Sequence, residues 1–108
     1  MTVCRIDLSN YKRKESKMFS GRNNGKDARK RSKIEIKEEE CKEIIIDVPS
    51  DTMSINSSFF LGMFGISVRK LGDSAFREKY KFKTDNQSII TNIEEGIAWA
   101  LARKENDK

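Results

Sequence analysis

Apolar residues fall into separate groups along the chain, and their spacing differs from group to group. In residues 2–8, Thr2, Val3, Ile6 and Leu8 are β-branched or apolar at strand-like spacing. Residues 9–24 are polar and basic, include Gly21, Asn23 and Asn24, and predict a loop. A connection of that length inside a compact domain is a functional candidate in its own right. Residues 26–37 are rich in helix formers but offer only Ala28, Ile34 and Ile36 for burial, which predicts a helix with a weak apolar face. The acidic run Glu38-Glu39-Glu40 leads into Glu43-Ile44-Ile45-Ile46-Asp47-Val48, the clearest strand in the chain. Its consecutive isoleucines suit burial on both faces, in the middle of a sheet covered by helices. Pro49 stops it.

Asn56-Ser57-Ser58 are helix N-cap residues, and the pattern after them predicts a helix over residues 59–71. Phe60, Met63, Phe64, Val68 and Leu71 recur at spacings of three and four, a stripe along one helical face. Gly62 and Gly65 each cost about 1 kcal/mol of helix propensity relative to Ala, which is expected where a helix lies close against a sheet. Gly72-Asp73-Ser74 ends this helix, and Tyr80-Lys81-Phe82-Lys83 alternates like a short edge strand. Asp85 or Asn86 caps a last helix with a stripe of Ile90, Ile93, Ile97 and Leu101, Trp99 to one side, and a polar tail expected to fray from residue 104. Strands alternating with helices predict a single α/β domain over residues 1–108, its helices packed against a mostly parallel sheet.

Composition narrows the chemistry. The chain of 108 residues fits one small domain, and hydrophobic and charged residues each make up 36%, so the apolar material must be concentrated in one core. There is no histidine, which excludes a Ser-His-Asp triad, a Cys-His pair and any His-containing zinc site supplied by this chain. Cys4 and Cys41 have no CxxC spacing, are too few for a zinc ribbon or a disulfide framework, and read as small apolar residues. With no leader peptide and no apolar run near 18 residues, they predict a reduced, cytoplasmic protein without a membrane segment. No general acid-base pair or phosphate loop is recognisable, so no enzyme activity and no cofactor are expected.

Charge changes the picture in one region. Between Tyr11 and Lys33 there are ten cations against two anions, and from Ile34 to Ser50 two cations against six anions, within an overall net charge of +5. The basic segment 12–33, with Arg29, Lys30 and Arg31 as candidate anion contacts, supports an alternative reading as a small nucleic-acid-binding protein. Only Tyr11 and Phe19 would be there to stack on bases, and a charged stretch is usually a solvated face.

The segment Ile44-Ile45-Ile46-Asp47-Val48, Ile55-Asn56-Ser57-Ser58-Phe59 and Met63-Phe64-Gly65 is similar to the STAS-like family of unknown function, itself distantly related to the STAS domains of anti-sigma-factor antagonists. The resemblance continues through Leu71-Gly72, Phe76-Arg77, Tyr80-Lys81-Phe82-Lys83, Asn92 and Ile97. Upstream, Gly25 to Arg29 resembles the family's Gly-x-x-x-Arg at the start of its first helix. The resemblance implies a regulatory, partner-binding module and not an enzyme. Asn56-Ser57-Ser58 looks like the antagonists' Asp-Ser-Ser, which makes Ser58 the candidate phosphoacceptor and a kinase-like, ATP-binding regulator the implied protein partner. Asn56 stands where those proteins carry Asp, and Phe59 where they carry Gly.

Simpler structural roles compete with these. Asn or Ser at a helix start accepts hydrogen bonds from unpaired backbone N–H groups and stabilises the helix by about 1 kcal/mol, so Ser57 and Ser58 have a capping role to fill. Asp47 is expected to satisfy turn N–H groups at the end of its strand. Phe59, Leu61 and Trp99 lie off the apolar stripes, and together Asn56, Ser57, Ser58, Phe59 and Leu61 make the candidate partner surface.

Overall fold

The computed structural model describes residues 2–11 and 17–102. The expected tail from residue 104 and part of the basic segment lie outside the described residues. Three parallel strands, β1 (Val3–Asp7), β3 (Glu43–Asp47) and β5 (Tyr80–Lys83), form the main sheet in the order β1-β3-β5. A second, minimal parallel pair joins β2 (Met18–Phe19) to β4 (Ser54–Ile55). The helices are α1 (Arg22–Ser32), α2 (Ile34–Glu40), α3 (Ser57–Leu71), α4 (Asp73–Lys79) and α5 (Gln87–Ala102). The α/β class is as expected, with β3 in the interior of the sheet and β5 at an edge.

Among the described residues, full burial in the main sheet is confined to one face. In consecutive parallel strands β1-β3-β5, two crossovers of the usual right hand place every connecting helix on the same side. Ile6, Ile44, Ile46 and Tyr80 point into that side and are buried. The other face carries Val3, Arg5 and Asp7 beside Glu43, Ile45 and Asp47, with Lys81 and Lys83 on β5. The expectation of three isoleucines buried on both faces is therefore corrected: Ile45 is half-buried among charged neighbours. Asp47 does not serve a turn. Both its carboxylate oxygens take Arg5 across the strand pair, at 2.6 and 3.1 Å.

The stretch expected to be a loop over residues 9–24 is more structured than its composition suggests. A 3-10 turn covers Leu8–Tyr11, β2 pairs with β4, and α1 has begun at Arg22. The helix expected over residues 26–37 is two helices, which together run to Glu40 and take in the acidic run. They break at Lys33, whose φ of 61° is left-handed, and its N–H closes the turn on the carbonyls of Arg29 and Lys30. A left-handed lysine costs roughly 1 kcal/mol. The break turns Ile34 into the core, where it is fully buried.

Helix α3 is the centre of the molecule, with α1 on one side, α5 on another and the sheet behind it. Phe64 meets Tyr80 and Phe82 of β5 at ring-centroid distances of 5.8 and 5.2 Å, and Phe60 reaches Phe82 at 6.2 Å. A helix enclosed on so many sides buries more than one stripe. Phe59, expected at an exposed patch, is buried against Phe19 of β2 with centroids 5.2 Å apart. Gly62 is not close to the sheet, as expected, but to Gly25 of α1, while Gly96 of α5 admits the Phe60 ring. On α5 the buried line is Ile89, Ile93, Gly96, Ile97 and Ala100: Ile93 and Ile97 are buried as expected, and Ile90 and Leu101 lie at the half-buried margins.

Cys4 and Cys41 are joined as a disulfide, with Cα atoms 6.0 Å apart, and neither is free. The pairing corrects their reading as reduced, merely apolar residues. It was not visible as a motif because strand β1 and the α2–β3 junction meet only in the folded chain. No helix among the described residues is long and apolar enough to cross a membrane.

Candidate functional site

The start of α3 is held from several directions. Asn56 has extended backbone geometry, as an N-cap residue must, and its Oδ1 accepts the Ser58 N–H at 3.0 Å and the Ser58 Oγ–H at 2.9 Å. The cap is therefore Asn56, not either serine. The Ser58 hydroxyl also accepts the backbone N–H of Gly21 at 3.1 Å, and Gly21 is the residue that precedes α1. One hydroxyl thus joins the beginnings of two helices. Behind it, Asn56 N–H donates to the Phe19 carbonyl at 2.7 Å, and the Asn92 side chain on α5 accepts the Ile55 N–H at 2.8 Å.

Of the candidate partner surface, Asn56 is exposed, Ser57, Ser58 and Leu61 are half-buried, and Phe59 is inside. The structure brings Asn56, Ser57 and Ser58 together at one surface junction and removes Phe59 from it. Trp99 lies on α5, half of it exposed.

The candidate anion contacts separate. Arg29 is only 8% exposed, and its guanidinium donates to the Met63 carbonyl at 2.9 Å and to Ser67 Oγ at 3.0 Å. It is an internal clamp between α1 and α3, so its reading as an anion contact is corrected. Arg31 is exposed, pairs with Asp27 at 3.3 Å and lies over the Tyr11 ring at 5.3 Å. Lys30 is exposed and lines a shallow groove with Lys26, Lys33, Ile36 and Ile66, and the edge of Arg29 reaches this groove beside Glu35, whose carboxylate lies 3.5 Å from the Arg29 Nε.

Arg29 opens a buried polar chain that sequence reasoning missed. Ser67 Oγ lies 3.4 Å from the Tyr80 hydroxyl, which donates to Glu38 Oε1 at 2.5 Å, and Lys70 Nζ is 3.5 Å from Glu38 Oε2. Burial alone would push the Glu38 carboxyl up. Hydrogen bonds from Ser67 and Tyr80, with the charges of Lys70 and Arg29, outweigh it and hold Glu38 below the ordinary carboxylate range. Burial, reinforced by the bond to Glu38, pushes the Tyr80 phenol well above its ordinary range. Every member is bonded, and Glu38 and Tyr80 are buried, so the chain braces α1, α2, α3 and β5 against one another. The only signal in the sequence was a lone acid within an apparently solvated acidic run.

At the far side, Arg77 of α4 makes a bidentate pair with Glu94 of α5, both bonds at 2.7 Å, and reaches Asp73 at 2.5 Å. The hydrogen bonds from Arg77 hold Glu94 below the ordinary carboxylate range against the opposing effect of burial. Among the described residues no cluster of His, Cys, Asp and Glu could hold a metal ion. Comparison with protein-family models, curated proteins and solved structures finds no match to this chain.

Proposed function

We propose that this chain is a non-enzymatic, STAS-like regulatory module that binds a protein partner at the start of α3, with Ser58 as its switch. The observation that carries the reading is the double use of the Ser58 hydroxyl, which donates to Asn56 and accepts from Gly21. A kinase-like partner would transfer the γ-phosphoryl group of ATP to Ser58 Oγ, releasing ADP and passing the hydroxyl proton to its own base. The modified residue then has no O–H for Asn56, and it places about two negative charges at two helix beginnings. Helix N-termini favour anions, so the domain keeps its fold while the surface presented to the partner changes.

Arg29, Gly25, Arg77 and Asn92, all in the stretch that resembles the STAS-like family, each have a packing or bracing role in this chain. A cytoplasmic setting belongs to this proposal through the resemblance alone, because the Cys4–Cys41 bond removes the free-thiol argument for it. The nucleic-acid alternative keeps Lys30 but loses Arg29 to the interior, and Arg31 is shared with Asp27 and Tyr11.

The test is affinity capture from source cells with the parent, Ser58→Ala and Ser58→Asp. The expected outcome is a partner held by the parent and by Ser58→Ala and lost by Ser58→Asp, with all three variants folded by circular dichroism. Equal capture by parent and Ser58→Asp would end the switch reading and leave Ser58 as a structural link.

A further inference from the structure

We infer that the outer edge of β5, with the apolar cleft beside it, binds an extended peptide segment of alternating acidic and apolar residues, which joins the main sheet as a further strand. This is a second surface, and it does not depend on the switch at Ser58.

β5 ends the sheet order β1-β3-β5, so no strand lies beyond it among the described residues. The ladder to β3 fixes which backbone groups look outward. Val48 N–H donates to the Lys83 carbonyl at 3.4 Å, so Lys83 is turned towards β3, and so, two residues back, is Lys81. Phe82 between them turns its N–H and carbonyl the other way. The Tyr80 carbonyl also turns outward, while the Tyr80 N–H closes α4 on the Phe76 carbonyl. An added strand takes its affinity from such main-chain groups and its specificity from pockets for alternate side chains.

A cleft of about 280 Å³ lies along this edge. Its lining takes Tyr80, Lys81 and Phe82 in succession, residues whose side chains point to opposite faces of the sheet, which places it beside the strand rather than over one face. α4 contributes Phe76, and α5 contributes Ile90, Ile93 and Ile97, so the wall on the helix side is largely apolar. Phe82 and Ile90 are only half-buried, leaving apolar surface for a partner's side chain to cover. The acid in the lining, Glu94, is already held by Arg77 through two bonds of 2.7 Å.

The other face of the edge is cationic, with Lys81 and Lys83 both exposed on the open face of the sheet. Lysines on a short edge strand guard against pairing with a second copy, because in an antiparallel β5–β5 pair lysine would face lysine. The same lysines match acids on a strand of different sequence, so the charge that refuses this chain's own edge selects its occupant. Residues of the segment that turn to the covered side enter the cleft, and those between them meet the lysines. The occupant is therefore acidic on one face and apolar on the other.

The experiment titrates the full chain with a blocked hexapeptide of alternating glutamate and valine at constant ionic strength, followed by amide NMR shifts and hydrogen exchange. Comparison peptides replace glutamate by lysine, replace valine by serine, or carry a methyl group on every backbone nitrogen. The expected result is saturable shifts at Tyr80, Phe82, Ile90 and Ile93, slower exchange of the Phe82 N–H, and weaker binding of every comparison peptide. Lys81→Glu combined with Lys83→Glu should weaken the glutamate peptide about tenfold and make the lysine peptide the tighter one. Both side chains are exposed, so the core is left undisturbed. Absence of saturation, a comparison peptide binding as tightly as the first, or an unchanged preference in the charge-reversed variant would each overturn the proposal. So would shifts at Phe82 on concentrating the chain alone, since the occupant would then be a second copy.

Discussion

Gly25 of α1 and Gly62 of α3 face each other at the crossing of the two helices, and each fills the space where the other's side chain would have to go. A Cβ on Gly25 would collide with the Phe59 carbonyl and lie 2.9 Å from the Met63 nitrogen. A Cβ on Gly62 would collide with the Arg22 carbonyl and lie 2.9 Å from the Lys26 nitrogen. Because the obstacles are backbone, neither helix yields by rotating a side chain. Gly25→Ala and Gly62→Ala should each destabilise by roughly 2 kcal/mol, overpacking outweighing the helix propensity gained by replacing glycine. Urea unfolding of each variant measures this, and an increase in stability would show the helices free to separate.

Neighbouring isoleucines on β3 should respond differently. Ile46 is fully buried on the covered face, and its replacement by Ala should cost about 2 to 5 kcal/mol. Ile45 lies on the open face between Arg5 and Lys81, and Ile45→Ala should cost only about 1 kcal/mol. Equal losses in chemical denaturation would mean that the open face is covered in solution.

Alkali should weaken the fold through Tyr80. Its phenol is raised in the folded chain above an unfolded value near 10.0, so its contribution is complete below pH 10 and is lost as pH rises through and beyond that value. The loss attributable to Tyr80 should approach about 1.4 kcal/mol per pH unit above pH 10. Glu38 acts in the opposite window. Its carboxyl is lowered from 4.5, so its contribution is present above that value and disappears as pH falls through the lower, folded one. Tyr80→Phe should be less stable than the parent at pH 7 and should show a smaller further loss between pH 9 and 11. Denaturation at a series of pH values compares the two slopes directly.

Reduction should cost stability without changing the fold. The Cys4–Cys41 bond spans a sequence separation of 37, and closing a loop of that length restricts the unfolded chain by roughly 3 to 4 kcal/mol. Unfolding midpoints with and without reductant measure the difference, and thiol titration of the native protein should find no free cysteine. A midpoint insensitive to reductant would show that the bond contributes nothing to stability.

The elements legible in the sequence were those whose own side chains decide their structure. The run Ile44-Ile45-Ile46, the Phe60-Met63-Phe64-Val68 spacing and the Tyr80–Lys83 alternation each carry enough periodicity to be read alone. What escaped was decided by partners distant in sequence. β2 and β4 are two residues each and exist only by pairing with one another. The break at Lys33 uses a residue type that rarely turns left-handed, and so carries no local signature. Phe59 looked exposed because a helical stripe assumes one covered face, whereas β2 covers a second. At the α3 start, cap residues were legible, but the division of labour was not: Asn56 caps, and Ser58 reaches across to Gly21.

The parallel sheet gives the molecule a direction. Cys4 lies near the start of β1 and Cys41 just before β3, so the covalent staple grips the amino ends of the strands. At the carboxyl ends lie an open cleft between Pro49 and Asn86 and the beginning of α5, and α3 also begins after the chain has left β3. The stapled pole holds the strands in register, and the loops that carry the beginnings of α3 and α5 are set at the pole away from it.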